Sequence, residues 1–120
     1  MLKVEQNSLL NMKVENRVKS HNEFQQVISD GVLVSSSILN LYYLPNNLGR
    51  ARVGISVPTK SGCAVVRNKI RRQIRAILSH ELNLSISYDL IFIVRRKYSV
   101  EDFEVSKAEI KKLLEKVGTN

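Results

Sequence analysis

Five of the nine residues from Arg67 to Arg75 are cationic (Arg67, Lys69, Arg71, Arg72 and Arg75), and no carboxylate stands among them. Four of the five are arginines, whose planar guanidinium fork suits two-point contact with phosphate oxygens. Asn68 adds an uncharged donor and acceptor that can meet a base edge or a sugar hydroxyl. On a helix, Arg67, Arg71 and Arg75 make two like-charged i,i+4 pairs, each unfavourable by roughly 0.2–0.5 kcal/mol. Such a face is at rest only when an anion arrives. The alternative is a solvated helix face whose arginine stems cover apolar neighbours.

The same polarity extends over half of the chain. The sequence has 120 residues, 19 Lys+Arg and 11 Asp+Glu, for a formal charge of +8. No acid occurs between Gly31 and His80, and residues 50–75 hold 8 of the 19 cationic groups. That leaves 11 basic against 11 acidic elsewhere, so the whole excess sits in one stretch. A concentrated cationic footprint points to a polyanion, nucleic acid first, whereas charge kept for solubility is served as well by scattering.

Cleavage of a phosphodiester by protein alone needs clustered carboxylates for metal ions or a histidine pair for proton transfer. The basic half offers neither. His21 and His80 fall on different predicted helices and read as surface residues. Asp89, at the start of a predicted strand, reads as a turn or cap residue, since one acid does not make a metal site. Cys63, the only cysteine, cannot form an internal disulfide and reads as a small buried residue. It favours a reducing, cytoplasmic address.

Elements must position these groups. Residues 1–17 are polar-rich without a clear period and read as a mobile N-terminal arm, with 18–118 as one RNA-binding domain. Ser20 and Glu23 form a capping box, Phe24, Val27 and Ile28 follow at helical spacing, and Gly31 is expected to end that helix in a left-handed conformation. Val32 to Leu44 reads as a strand, with a possible turn within it. Pro45 to Gly49 reads as a turn. Arg50 to Val57 alternates, with Ala51, Val53, Ile55 and Val57 on one side and Arg50, Arg52, Gly54 and Ser56 on the other.

Pro58 to Gly62 breaks that strand. From Ala64 to about Leu82 the stripe Val66, Ile70, Ile74, Ile77 and Leu78 predicts an amphipathic helix with the cations beside it. Tyr88 to Arg95 reads as a buried strand. A last helix, begun by Ser99 with Asp102, carries the stripe Phe103, Ile110, Leu113, Leu114 and Val117. The order α-β-β-(β)-α-β-α predicts an α+β sandwich of helices against one sheet. The longest apolar run, Leu90 to Val94, is too short to cross a bilayer, and the first residues lack the apolar core of a secretory signal.

The dodecamer Ala64-Val65-Val66-Arg67-Asn68-Lys69-Ile70-Arg71-Arg72-Gln73-Ile74-Arg75 resembles the RNR signature of the bacterial ribonuclease P protein family. Arg52-Val53-Gly54-Ile55-Ser56-Val57, His21 to Ile28 and Asp89 to Arg95 are similar to further family segments, so the likeness spans about residues 16–117. It implies an α-β sandwich like the second domain of ribosomal protein S5, with the RNR helix in a left-handed β-α-β crossover, against the usual hand. It also implies a subunit that binds the catalytic RNA and the 5′ leader of precursor tRNA and assists removal of that leader, the RNA doing the chemistry. Mg²⁺ would be held mainly by the RNA.

The resemblance assigns Arg67, Asn68, Lys69, Arg71, Arg72 and Arg75 to the catalytic RNA. It assigns Phe24, Ile28, Tyr42, Arg52 and Ser56 to a leader cleft, Tyr43 being the alternative register for Tyr42. Lys60 and Arg95 are expected as additional basic contacts. Ile28 replaces a second aromatic, Pro58 stands in place of a small polar residue, and residues 1 to about 12 extend beyond the common start. The implied partners are the catalytic RNA, at one protein to one RNA, and precursor tRNA; no membrane is implied, and the protein alone is expected to be a monomer. The competing reading is a structural RNA-binding module of ribosomal type, in which Phe24 and Tyr42 are core residues. A nuclease acting alone is a third, and it predicts cleavage without RNA.

Overall fold

The computed structural model describes residue 18 and residues 20–117; the arm expected over 1–17 lies outside them. Helix α1 (His21–Asp30) starts as its capping box dictates: Ser20 Oγ accepts the Glu23 N–H at 3.0 Å, and the Glu23 carboxylate accepts the Ser20 N–H at 3.5 Å. Its end differs from expectation. Gly31 has φ −79°, ordinary extended backbone, so no left-handed cap forms. Glycine is required there by crowding instead, because a Cβ would run into the Val27 carbonyl oxygen and lie 2.8 Å from that of Tyr43.

The stretch Val32–Leu44 divides into two strands, β1 (Val32–Ser35) and β2 (Leu39–Pro45). Ser36 turns the chain, its Oγ accepting the N–H groups of Ile38 and Leu39 at 3.2 Å each. The next turn follows residue type: Asn47 and Gly49 have φ 58° and 73°, the left-handed region open to Asn and Gly. Strand β3 (Arg52–Ser56) leads through a short 3₁₀ turn, Thr59–Ser61, into α2 (Ala64–Glu81); β4 (Tyr88–Val94) and α3 (Phe103–Glu115) complete the chain. The sheet order is β1-β2-β4-β3, antiparallel except for the parallel pair β3/β4, which α2 joins as a crossover.

Period-2 alternation gives the sheet two unlike faces. On one, Leu39, Leu41, Tyr43, Val53, Leu90, Phe92 and Val94 pack with Ile70, Ile74, Ile77 and Leu78 of α2 and Ile110 and Leu113 of α3. This is the main core, and each fully buried aliphatic side chain contributes about 1.5–3 kcal/mol. Phe103 departs from the expected stripe of the last helix: it is 36% exposed, while Ser106 is buried. The helix begins only at Phe103, after a turn closed by the Asp102 N–H on the Ser99 carbonyl at 3.2 Å, and Asp102 makes no side-chain cap. The opposite face carries α1.

Candidate nucleic-acid interface

Helix α2 buries Ile70, Ile74, Ile77 and Leu78 and half-buries Val66, as the stripe requires. At about 100° per residue, Arg67, Arg71 and Arg75 run along the flank of that stripe, with Asn68 and Arg72 on the next line outward and Lys69 further round. Among the described residues no carboxylate comes within ion-pair distance of Arg67, Lys69, Arg71, Arg72 or Arg75. Arg67 Nε donates to the Gly62 carbonyl at 3.1 Å, and Arg71 Nη1 donates to Asn68 Oδ1 at 2.9 Å. Both contacts are with neutral groups, so the positive charge stays available. The Asn68 oxygen serves Arg71, which leaves its NH₂ group as the part that can meet an outside acceptor.

Cys63 is the N-cap of α2 and is exposed, contrary to the buried position expected of it. Its place at the end of the Gly62 turn, one residue before the helix, keeps it off the buried stripe. The sulfur makes no capping hydrogen bond, but the backbone N–H of Val66, and then that of Val65, favour its thiolate and hold the thiol below its ordinary pKa.

The second group of expected residues gathers on the α1 face of the sheet. Strand register sets three rows: Leu44–Asp89–Arg52, Leu33–Tyr42–Ile91–Gly54 and Ser35–Asn40–Ile93–Ser56. Tyr42 lies in the middle row and is half-buried, whereas Tyr43 is 3% exposed in the main core, its hydroxyl donating to the Lys116 carbonyl at 3.3 Å. Of the two tyrosines, Tyr42 is therefore the one on the α1 face. Phe24 of α1 reaches down to the same row: a Cβ on Gly54 would lie 3.1 Å from Phe24 Cε2 and 2.8 Å from Ile91 Cδ1. Glycine at 54 thus makes room for the ring. Ile28, one helical turn on, is half-buried, as is Ser56. Neither Phe24 nor Tyr42 belongs to the main core, which is what the structural-module reading required of them.

Arg52 is on this face but is not a free cation. Its Nε and Nη2 grip Asp89 Oδ1 and Oδ2 at 2.8 and 2.6 Å, and its Nη1 meets Glu23 Oε2 at 3.0 Å. The Arg52 side chain is 16% exposed and that of Asp89 7%. The hydrogen bond to Asp89, against the cost of burial, together with that to Glu23, raises the guanidinium pKa further above its ordinary value. Asp89 is accordingly neither turn, cap nor metal ligand. It is the buried counter-ion of Arg52, and it also accepts from Asn46 Nδ2 at 2.8 Å.

Beyond the third row the face opens into a recess of about 620 Å³ lined by Asn40, Ile93, Pro58, Lys60, Arg95, Arg96 and Lys97, among others. Lys60 and Arg95 thus meet, as basic residues from the ends of two parallel strands. Arg96 and Lys97 were not singled out from the sequence, although three consecutive cations directly after an apolar strand were the available signal.

The family model for ribonuclease P matches residues 12–118. The chain belongs to the ribonuclease P protein family. The ribonuclease P protein component of Mesoplasma florum is 37% identical over 105 residues, covering 86% of this chain and 96% of the relative. That of Caldanaerobacter subterraneus is 39% identical over 106 residues, covering 83% and 87%. In three dimensions the ribonuclease P protein of Thermotoga maritima superposes with a TM-score of 0.76 at 25% identity, over 84% of this chain and 96% of that one. The Staphylococcus aureus protein gives 0.74 at 28%, over 86% and 95%. The α-β sandwich is the family's fold, and the chain is the protein subunit of ribonuclease P, a tRNA-processing ribonucleoprotein that works with an RNA. No described helix is long and apolar enough to cross a membrane.

Proposed function

We propose that α2 docks this subunit on the catalytic RNA through Arg67, Asn68, Lys69, Arg71, Arg72 and Arg75, while the α1 face of the sheet holds the single-stranded 5′ leader of precursor tRNA. The observation that carries this reading is the cationic flank of α2, which has no carboxylate partner among the described residues. Phosphates supply the missing counter-charge, and counter-ions released from the RNA supply much of the free energy. In the cleft, Phe24 and Tyr42 offer ring faces on which bases stack, worth roughly 1–3 kcal/mol per base. Ile28 gives an apolar wall and Ser56 a hydroxyl. Lys60 and Arg95, with Arg96 and Lys97, take leader phosphates at the recess end.

Hydrolysis belongs to the RNA and its Mg²⁺. The described residues include no group of three or more His, Cys, Asp or Glu placed to hold a metal ion, and the buried Asp89 carboxylate is engaged by Arg52 and Asn46. The protein's part is to neutralise phosphate, to hold the leader in line and so to raise productive metal occupancy on the RNA when magnesium is scarce. One protein serves one RNA, in the cytoplasm.

Reconstitution tests this. Adding the protein to a ribonuclease P RNA should restore precursor-tRNA cleavage at low magnesium, and protein without RNA should cleave nothing. If about five phosphates are engaged, log K for the RNA should fall with log salt at a slope of roughly −3.5 to −4.5. A flat salt response would remove the electrostatic basis of the reading.

A further inference from the structure

Arg52 looks, from its place beside Phe24 and Gly54, like a phosphate contact of the leader cleft. Its surroundings assign it other work. Three of its nitrogens are already spent on two carboxylates, and Asp89 holds it in a two-point grip from within the sheet. A leader phosphate reaching the two remaining N–H groups of Arg52 would approach two carboxylates in doing so.

Glu23 is the joint between the two layers. One of its oxygens closes the capping box at Ser20, and the other binds Arg52 Nη1 at 3.0 Å. The same carboxylate therefore ends the helix and ties that end to the sheet floor. The next residue is Phe24, whose ring rests over Gly54. At the far end of α1, Gly31 lies so close to β2 that a Cβ would meet the Tyr43 carbonyl oxygen at 2.8 Å. Helix α1 is thus held at both ends, by backbone proximity at its C-terminus and, at its N-terminus, by the charged bridge beside the Val18 N–H bond to the Val53 carbonyl at 3.2 Å.

We propose that Glu23 and Arg52 are positioning residues: the bridge Glu23–Arg52–Asp89 fixes the height of α1 over the sheet and so sets the gap between Phe24 and Tyr42 in which leader bases stack. The proposal rests on the reading of this face as the leader cleft. Asp89 is the buried anchor and Arg52 the strut. Glu23, whose side chain is 40% exposed, is the adjustable contact.

The test uses reconstituted holoenzyme and compares binding of precursor tRNA with binding of leaderless mature tRNA. Glu23→Ala should lower the precursor-to-mature affinity ratio about three- to tenfold while mature-tRNA binding and affinity for the catalytic RNA stay within about twofold. Glu23→Gln keeps an acceptor for Arg52 Nη1 and should retain most of the wild-type ratio. Arg52→Lys, which keeps the charge but loses the two-point grip, should resemble Glu23→Ala. An unchanged ratio in Glu23→Ala would overturn the proposal, as would equal losses for both substrates, the mark of general structural damage. A Glu23→Gln ratio as low as that of Glu23→Ala would overturn it too. A wild-type holoenzyme that does not distinguish precursor from mature tRNA would instead refute the cleft reading, a result plainly different from these.

Discussion

Arginine does opposite work in the two halves of the crossover. In β3, Arg52 is enclosed by Asp89 and Glu23, and its charge is spent inside the fold. In α2, Arg67 and Arg71 lean on a carbonyl and an amide oxygen and keep their charge for an outside partner. The side chain is the same, and Arg52 and Arg67 are only fifteen positions apart. What differs is whether the tertiary fold brings an acid alongside. A guanidinium with internal carboxylates holds layers together, and one without them keeps its charge available to an outside anion.

The sharpest way to break this comparison is at Asp89. Asp89→Ala leaves Arg52 partly buried without its main counter-ion, and removing one partner of a buried pair costs about 3–5 kcal/mol. Urea or thermal unfolding should show that loss; a change below about 1 kcal/mol would mean that Arg52 finds solvent and that the bridge is ornamental. Next in size is Arg67→Ala with Arg71→Ala. Unfolding should be nearly unchanged, because neither side chain makes an internal ion pair, while affinity for the catalytic RNA should fall by about 2–4 kcal/mol, as expected for lost charged hydrogen bonds. Each phosphate contact removed should also flatten the salt slope by roughly 0.7–0.9. Loss of stability with intact binding would reverse the roles assigned to the two regions.

The smallest effect concerns Cys63, at the junction of the two. Its thiol pKa is lowered in the fold, so iodoacetamide at mildly alkaline pH should alkylate the folded protein faster than the urea-unfolded chain. Linkage gives the sign: the stabilisation of the thiolate is present above the unfolded thiol's pKa and is lost as pH falls through the lower, folded value. Bound RNA should slow the alkylation if the start of α2 is covered. Equal rates in folded and unfolded protein would show that the helix N-terminus does not act on the sulfur.

Much of the architecture was legible in the chain. The capping box at Ser20, the alternation through β3 and the stripe of α2 are local patterns, and local patterns survive folding. The errors have a shared cause. Gly31 looked like a left-handed cap because its neighbourhood in space, the Tyr43 backbone, is twelve residues away in sequence. Asp89 looked like a turn or cap residue because its partner lies 37 positions back. Cys63 and Phe103 were placed by residue type, which does not say which side of a helix start meets the core. Arg96 and Lys97 came to line a basic recess only when the β3 and β4 ends came together.

By itself, then, the sequence determined the elements, the cationic helix face and, through the RNR dodecamer, the family, because periodicity and charge are properties of neighbouring residues. Only the tertiary structure decided which arginine is paired with internal acids and which is not, that Tyr42 rather than Tyr43 lies on the α1 face of the sheet, and that the Glu23 carboxylate ties α1 to the sheet. Those outcomes depend on strand register and on how closely layers approach, and both arise from contacts between residues far apart along the chain.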